Sequence, residues 1–113
     1  MASSLKSDHI YTSSFLLDVL EHIPRSEQNR FLANINDSLN RPAKVIIGMP
    51  SRESQAFASP ESLQGHVNCQ SKRELKDSLM EVYSTVTVFS MNDEVLHTGF
   101  DKMSNYLLAL CTI

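Results

Sequence analysis

The chain has 113 residues, 42% hydrophobic and 20% charged, with a formal net charge of −3. Those figures bound it at one domain with a modest core and place it in the globular rather than the disordered range. The acidic balance gives no reason to expect a nucleic-acid partner, which needs clustered Lys and Arg. The opening MASSLKSDHI has no apolar core of signal-peptide length, and no run approaches the roughly 20 apolar residues of a membrane span. The expectation is therefore a cytoplasmic protein with no membrane contact.

HIYTSSFLL (9–17) mixes β-branched, aromatic and aliphatic residues without proline, and reads as a strand. DVLEHIP (18–24) follows. If it coils as a helical turn, Asp18, Glu21 and His22 stand at i, i+3 and i+4 on one face and can converge on a cation or a polar substrate. The same residues suit an ordinary solvated turn. Pro24 is placed to open the next helix, with Ser26 as a candidate cap. In SEQNRFLANINDSL (26–39), Phe31, Leu32, Ile35 and Leu39 recur at helical spacing. Arg41–Pro42 closes that segment. AKVIIGMP (43–50) is a continuous apolar run between breakers, as expected of a parallel strand covered on both sides.

Residues 51–70 have no clear period, and a loop of that length in a compact domain is usually functional or disordered. SKRE (71–74) is a capping box that opens a helix carrying Leu75, Leu79, Val82 and Tyr83 on one face. STVTVFSM (84–91) reads as a strand, NDEVLHTGFDKM as a polar connection with Asp93 and Glu94 at an exposed turn, and SNYLLALCTI (104–113) as a final strand. The order β-α-β-α-β-β predicts an α/β fold over the single domain 1–113: a largely parallel sheet with helices on its faces and an antiparallel C-terminal strand pair.

This order, with DVLEHI after a strand, IIGMP ending the next, and GHVN (65–68) before a capped helix, resembles the C-terminal half of a class I S-adenosylmethionine-dependent methyltransferase. The resemblance covers the chain from about residue 9. It implies a partial Rossmann-like sheet and methyl transfer to a small-molecule or sugar-like acceptor. It also implies Asp18 and Glu21 along the pocket for S-adenosylmethionine. Some members, including small-RNA 2′-O-methyltransferases and ubiquinone-pathway O-methyltransferases, hold a divalent metal with an acid-x-x-Glu-His set and a later histidine. The matching residues here are Asp18, Glu21, His22 and His66, a donor set that suits Mg²⁺, Mn²⁺ or Zn²⁺. Asp18 stands where those members usually carry Glu.

The glycine-rich loop through which the family mainly binds its cofactor has no counterpart, because Gly48, Gly65 and Gly99 form no G-x-G and follow no chain-initial strand. Two functional readings follow. One is a methyltransferase half that acts when another chain completes it. The other is an inactive methyltransferase-derived interaction module, or a fragment of a longer protein. In either case the 9–17 strand lacks its usual neighbour, and a homodimer or a complementing chain is expected along that edge.

His97 can line the substrate side or cap a strand, Met49 and Met91 read as core filler, and Cys69 and Cys111 read as reduced thiols with no nucleophile signal.

Overall fold

The computed structural model describes residues 11–93 and 95–113. His9, Ile10 and Glu94, on which parts of two sequence expectations fall, lie outside the described residues.

Strand β1 (Tyr11–Leu17) leads through a single 3₁₀ turn to helix α1 (Arg25–Asn36), then to β2 (Leu39–Pro50). A second 3₁₀ segment (Glu53–Phe57), the short helix α2 (Pro60–Gly65) and helix α3 (Lys72–Leu79) fill the middle of the chain. Strand β3 (Thr85–Asn92), the short β4 (Val95–His97) and β5 (Tyr106–Thr112) complete it. The sheet order is β1-β2-β5-β3-β4. Among the described strands only β1 and β2 pair as parallel neighbours, since β5 runs antiparallel between β2 and β3. The expected C-terminal antiparallel pair is thus β3–β5, and β5 splits what would otherwise be a parallel run.

Local chemistry explains where the elements stop. Helix α1 starts one residue after Pro24, whose carbonyl accepts the Glu27 N–H at 2.8 Å, so Ser26 lies inside the first turn rather than capping it. Strand β2 begins at Leu39, earlier than the apolar run. Arg41 and Pro42 fall where its register against β1 jumps, from Tyr11↔Leu39 to Ser13↔Lys44. A proline has no N–H to donate, and an irregularity is where a sheet tolerates one. The 71–74 capping box forms in full: Ser71 Oγ accepts from the Glu74 N–H and the Glu74 carboxylate accepts from the Ser71 N–H. Asn92 pairs with Val95 across a two-residue turn, with Asp93 at φ 51°, a region aspartate tolerates.

Register assigns every strand residue to one of two faces. Leu16, Ile47, Ala109 and Val88 stand opposite one another in a row and are buried, together with Val45, Leu107 and Cys111. Phe31, Leu32 and Ile35 of α1 and Leu75 and Leu79 of α3 join them in a single core. The next row, Phe15, Ile46, Leu110 and Thr87, points the other way. There Phe15 is 72% exposed, Ile46 38% and Leu110 38%. The expectation that the 43–50 run is covered on both sides meets a sheet covered on one: among the described residues, α1 and α3 share a face and Ile46 of β2 lies exposed on the other.

Candidate functional site at the carboxyl ends of β1 and β2

Just past β1, Asp18 takes φ 59°, which turns the chain sharply away from the sheet while its N–H still donates to the Gly48 carbonyl at 3.0 Å. Asp18 Oδ1 accepts a hydrogen bond from the Tyr106 hydroxyl at 2.9 Å. Tyr106, at the start of β5, reaches Asp18 by lying across Gly48 of β2. A Cβ on Gly48 would stand 2.7 Å from the Tyr106 hydroxyl oxygen and 2.8 Å from Leu17 Cδ2. Glycine is required here for close approach. Burial, and then the Asp18 carboxylate, push the Tyr106 hydroxyl above the usual tyrosine range.

The 3₁₀ turn Leu20–His22 comes next. Leu20 enters the core, and Glu21 is 1% exposed. The Glu21 backbone carbonyl accepts from Val67 N–H at 2.9 Å and Asn68 N–H at 3.0 Å, which ties the GHVN segment to this turn. Its side-chain Oε1 is buried with no hydrogen-bond partner among the described residues, while Oε2 lies 3.7 Å from His22 Nε2. Burial raises the Glu21 carboxyl above its ordinary range; its backbone hydrogen bond and the neighbouring His22 oppose that rise, and the charge of Asp18 adds to it.

The two imidazoles are oriented alike. His22 Nδ1 lies 2.8 Å from the Gly65 carbonyl, and since a carbonyl only accepts, Nδ1 carries the proton. His66 Nδ1 lies 2.8 Å from Gln55 Oε1, and the Gln55 amide nitrogen leans on the Ser51 carbonyl at 3.5 Å, which orients that amide. On each ring Nε2 is then the nitrogen not committed to a carbonyl oxygen. The rings meet edge to face with centroids 5.1 Å apart, and one ligand atom from each of Glu21, His22 and His66 falls within 4.8 Å of the others.

Of the four residues expected at this place, the structure brings three together. Asp18 is engaged by Tyr106 instead, because its left-handed backbone breaks the helical spacing that would have aligned it with Glu21 and His22.

Beneath the site is a buried amide network that sequence reasoning missed. Gln28 Nε2 donates to Ser78 Oγ at 3.0 Å, Ser78 Oγ to Gln70 Oε1 at 2.8 Å, and Gln70 Nε2 back to Gln28 Oε1 at 2.9 Å. Asn68 Nδ2 joins at Gln28 Oε1, 2.8 Å away. The network locks the segment that follows His66 to both α1 and α3. A signal was present: Gln28 and Ser78 interrupt the apolar stripes of their helices.

The other candidates have structural roles. His97 Nδ1 accepts from the Gly99 N–H at 3.1 Å, so its Nε2–H donates to Asn92 Oδ1 at 2.7 Å, clasping the β3–β4 hairpin. Burial pushes Cys69 up to about 11, helped by the Glu21 charge, and Cys111 up to about 12. Neither is a thiolate at neutral pH. A shallow cleft of about 390 Å³, lined by Pro50, Ser54, Met91, Asp93, Asn105 and Tyr106, opens at the same end of the sheet.

No family model and no curated protein matches the sequence. Solved structures do match the fold. One is a candidate O-methyltransferase from Nostoc punctiforme PCC 73102, with a TM-score of 0.60 and 14% identity, covering 97% of this chain and 33% of that one. Another is the DhpI–SAM–HEP complex, with a TM-score of 0.59 and 15% identity, covering 94% of this chain and 52% of that one. The chain therefore has the α/β sheet of a methyltransferase-like fold, and it spans between a third and about half of these neighbours' length. No described helix is long and apolar enough to cross a membrane.

Proposed function

We propose that the chain is part of an S-adenosylmethionine-dependent methyltransferase, acting on a small-molecule or sugar-like acceptor, with a divalent ion held by Glu21, His22 and His66. The observation that carries the reading is the set of donors left unused on a methyltransferase-like fold. Two imidazoles have their Nδ1–H groups committed to carbonyl oxygens, the usual support for metal-ligating histidines, and a buried carboxylate oxygen has no partner. A mixed oxygen and imidazole set fits Mn²⁺ or Zn²⁺, and Mg²⁺ with more water in its shell. When bound, the ion supplies a Lewis acid for an acceptor oxygen, and S-adenosylmethionine supplies the activated methyl group.

The chain's own residues position and exclude. Asp18 and Glu21 border the cofactor side in this reading, with Asp18 steadied by Tyr106. Pro50, Met91 and Tyr106 wall the adjoining cleft where an acceptor would lie. Gly65 and Gln55 hold the Nδ1 side of the two rings, which leaves Nε2 as the nitrogen available to ligate.

Titration with Mn²⁺, Zn²⁺ and Mg²⁺ should raise the Tm of the purified chain, and Co²⁺ should give the visible absorption of imidazole ligation. His66→Ala and Glu21→Gln should each remove most of both responses. A Tm indifferent to all the ions would overturn the metal part of the proposal.

A further inference from the structure

Residues 65–68 touch every member of the Glu21–His22–His66 cluster. The Gly65 carbonyl faces His22 Nδ1 at 2.8 Å, and a Cβ on Gly65 would stand 3.3 Å from that ring. His66 supplies its own imidazole. The Val67 and Asn68 N–H groups both donate to the Glu21 carbonyl, at 2.9 and 3.0 Å. The way this segment sits therefore sets how far apart the three ligand residues stand. Val67 is 57% exposed, and Asn68, at 6%, is the one buried residue of the segment.

Asn68 spends its whole side chain on holding that place. Its Nδ2 donates to Gln28 Oε1 of α1 at 2.8 Å, and leans at 3.5 Å towards the carbonyl of Leu20, in the turn that carries Glu21 and His22. Its Oδ1 accepts from Gln70 Nε2 at 3.2 Å. A fully satisfied buried network fixes one arrangement of its backbone, which directionless apolar packing does not. Loss of the Asn68 amide would still leave its neighbours paired. Gln28 Oε1 keeps Gln70 Nε2 at 2.9 Å, and the Leu20 carbonyl keeps the Ile23 N–H at 3.0 Å. Ser78 is the opposite case. Its Oγ accepts from Gln28 Nε2 and donates to Gln70 Oε1, atoms with no other described partner, yet no bond of Asn68 runs to it. Stability and site geometry thus lean on different members of one network.

We infer that Asn68 is a positioning residue, whose side-chain amide sets the spacing of Glu21, His22 and His66 and thereby the affinity for an ion held among them. The affinity half rests on the metal reading proposed above; the spacing half does not.

The test sets Asn68→Leu, which keeps the side chain's volume and discards its hydrogen bonds, against Ser78→Ala. In the metal-free chain the His22 and His66 ring centroids lie 5.1 Å apart, and their nuclear Overhauser contact should weaken in Asn68→Leu. Exchange of the Val67 amide hydrogen should speed up by about tenfold or more in the same variant. Ser78→Ala should lower the Tm further and leave both readings as they are. In Co²⁺ titrations, Asn68→Leu should raise the dissociation constant by about tenfold to a hundredfold, as for other groups that support metal ligands, and Ser78→Ala by less than about threefold. Gln28→Leu cuts the anchor of Asn68 from the α1 side and should move the same readings in the same direction, which decides the matter should Asn68→Leu fold poorly. An unchanged ring contact and unchanged Val67 exchange would overturn the inference, as would changes in all three variants that merely follow their loss of Tm. Lost spacing with an unchanged Co²⁺ constant would overturn its affinity half. An unsubstituted chain that gives no Co²⁺ absorption would overturn the metal reading instead, and the two metal-free readings would still decide the spacing.

Discussion

Glu21 shows how one buried atom sets the behaviour of the whole site. Its folded-state pKa is raised, chiefly by burial. Between the unfolded value and that raised value the native state binds more protons than the unfolded one, so the stability of the metal-free chain falls as pH rises through this window. Glu21→Gln should flatten that slope and stabilise the metal-free chain at neutral pH, because it removes the cost of burying the carboxylate's charge. Denaturant unfolding across pH 4 to 8 checks this, and a destabilised variant at pH 7 would contradict it. Gly48 is the second informative residue. Gly48→Ala forces either Tyr106 or Leu17 to move and should cost about 1–3 kcal/mol, typical of overpacking. The cost should shrink when Tyr106→Ala is made as well, which a double-mutant cycle reads directly.

At the scale of elements, the parts readable from sequence were those with local chemical causes. Ser71 and Glu74 declared the start of α3 because a capping box closes within four residues. Ser71→Ala should lower stability by about 1 kcal/mol. The Glu74 pKa is lowered, first by the backbone hydrogen bond to Ser71, so its contribution is present above the unfolded pKa and disappears as pH falls through the folded value. A Glu74→Gln penalty of the same size at pH 2 and pH 7 would show that the carboxylate's charge plays no part. What stayed hidden depended on distant partners. Asp18 could be grouped with Glu21 and His22 only by assuming a helical turn, and nothing local revealed that Tyr106, 88 residues later, would hold it. The interruption of the α1 stripe at Gln28 could not name its partners, because residues 68, 70 and 78 come from two other segments. The short β4 was missed because three residues carry too little pattern to separate a strand from a polar loop.

For the whole molecule, the order of elements and the apolar pattern pointed to an α/β sheet; loss of cover is expected for Phe15, Leu16 and Leu17 alike, and alternation along β1 exposes Phe15 and Leu17 while burying Leu16. The absence of a glycine-rich loop bears on cofactor affinity. Backbone donors at a helix N-terminus normally supply the main grip on such a ligand, so calorimetry with the chain alone should detect S-adenosylmethionine binding weakly or not at all. Micromolar or tighter binding would mean that self-association had rebuilt a pocket.

The place of β5 has one more consequence, for how the fold is reached. Residues 106–112 bridge β2 to β3 on both sides; without them the sheet separates into a β1–β2 pair and a β3–β4 hairpin that share no ladder. Joining the two halves of the sheet waits on this strand, and its partner residues lie 15 to 68 positions back in the chain. Loop closure over such distances precedes any gain from pairing, which slows folding. Removing Tyr106–Thr112 should therefore yield a chain with no cooperative unfolding transition rather than a weakened version of the same structure.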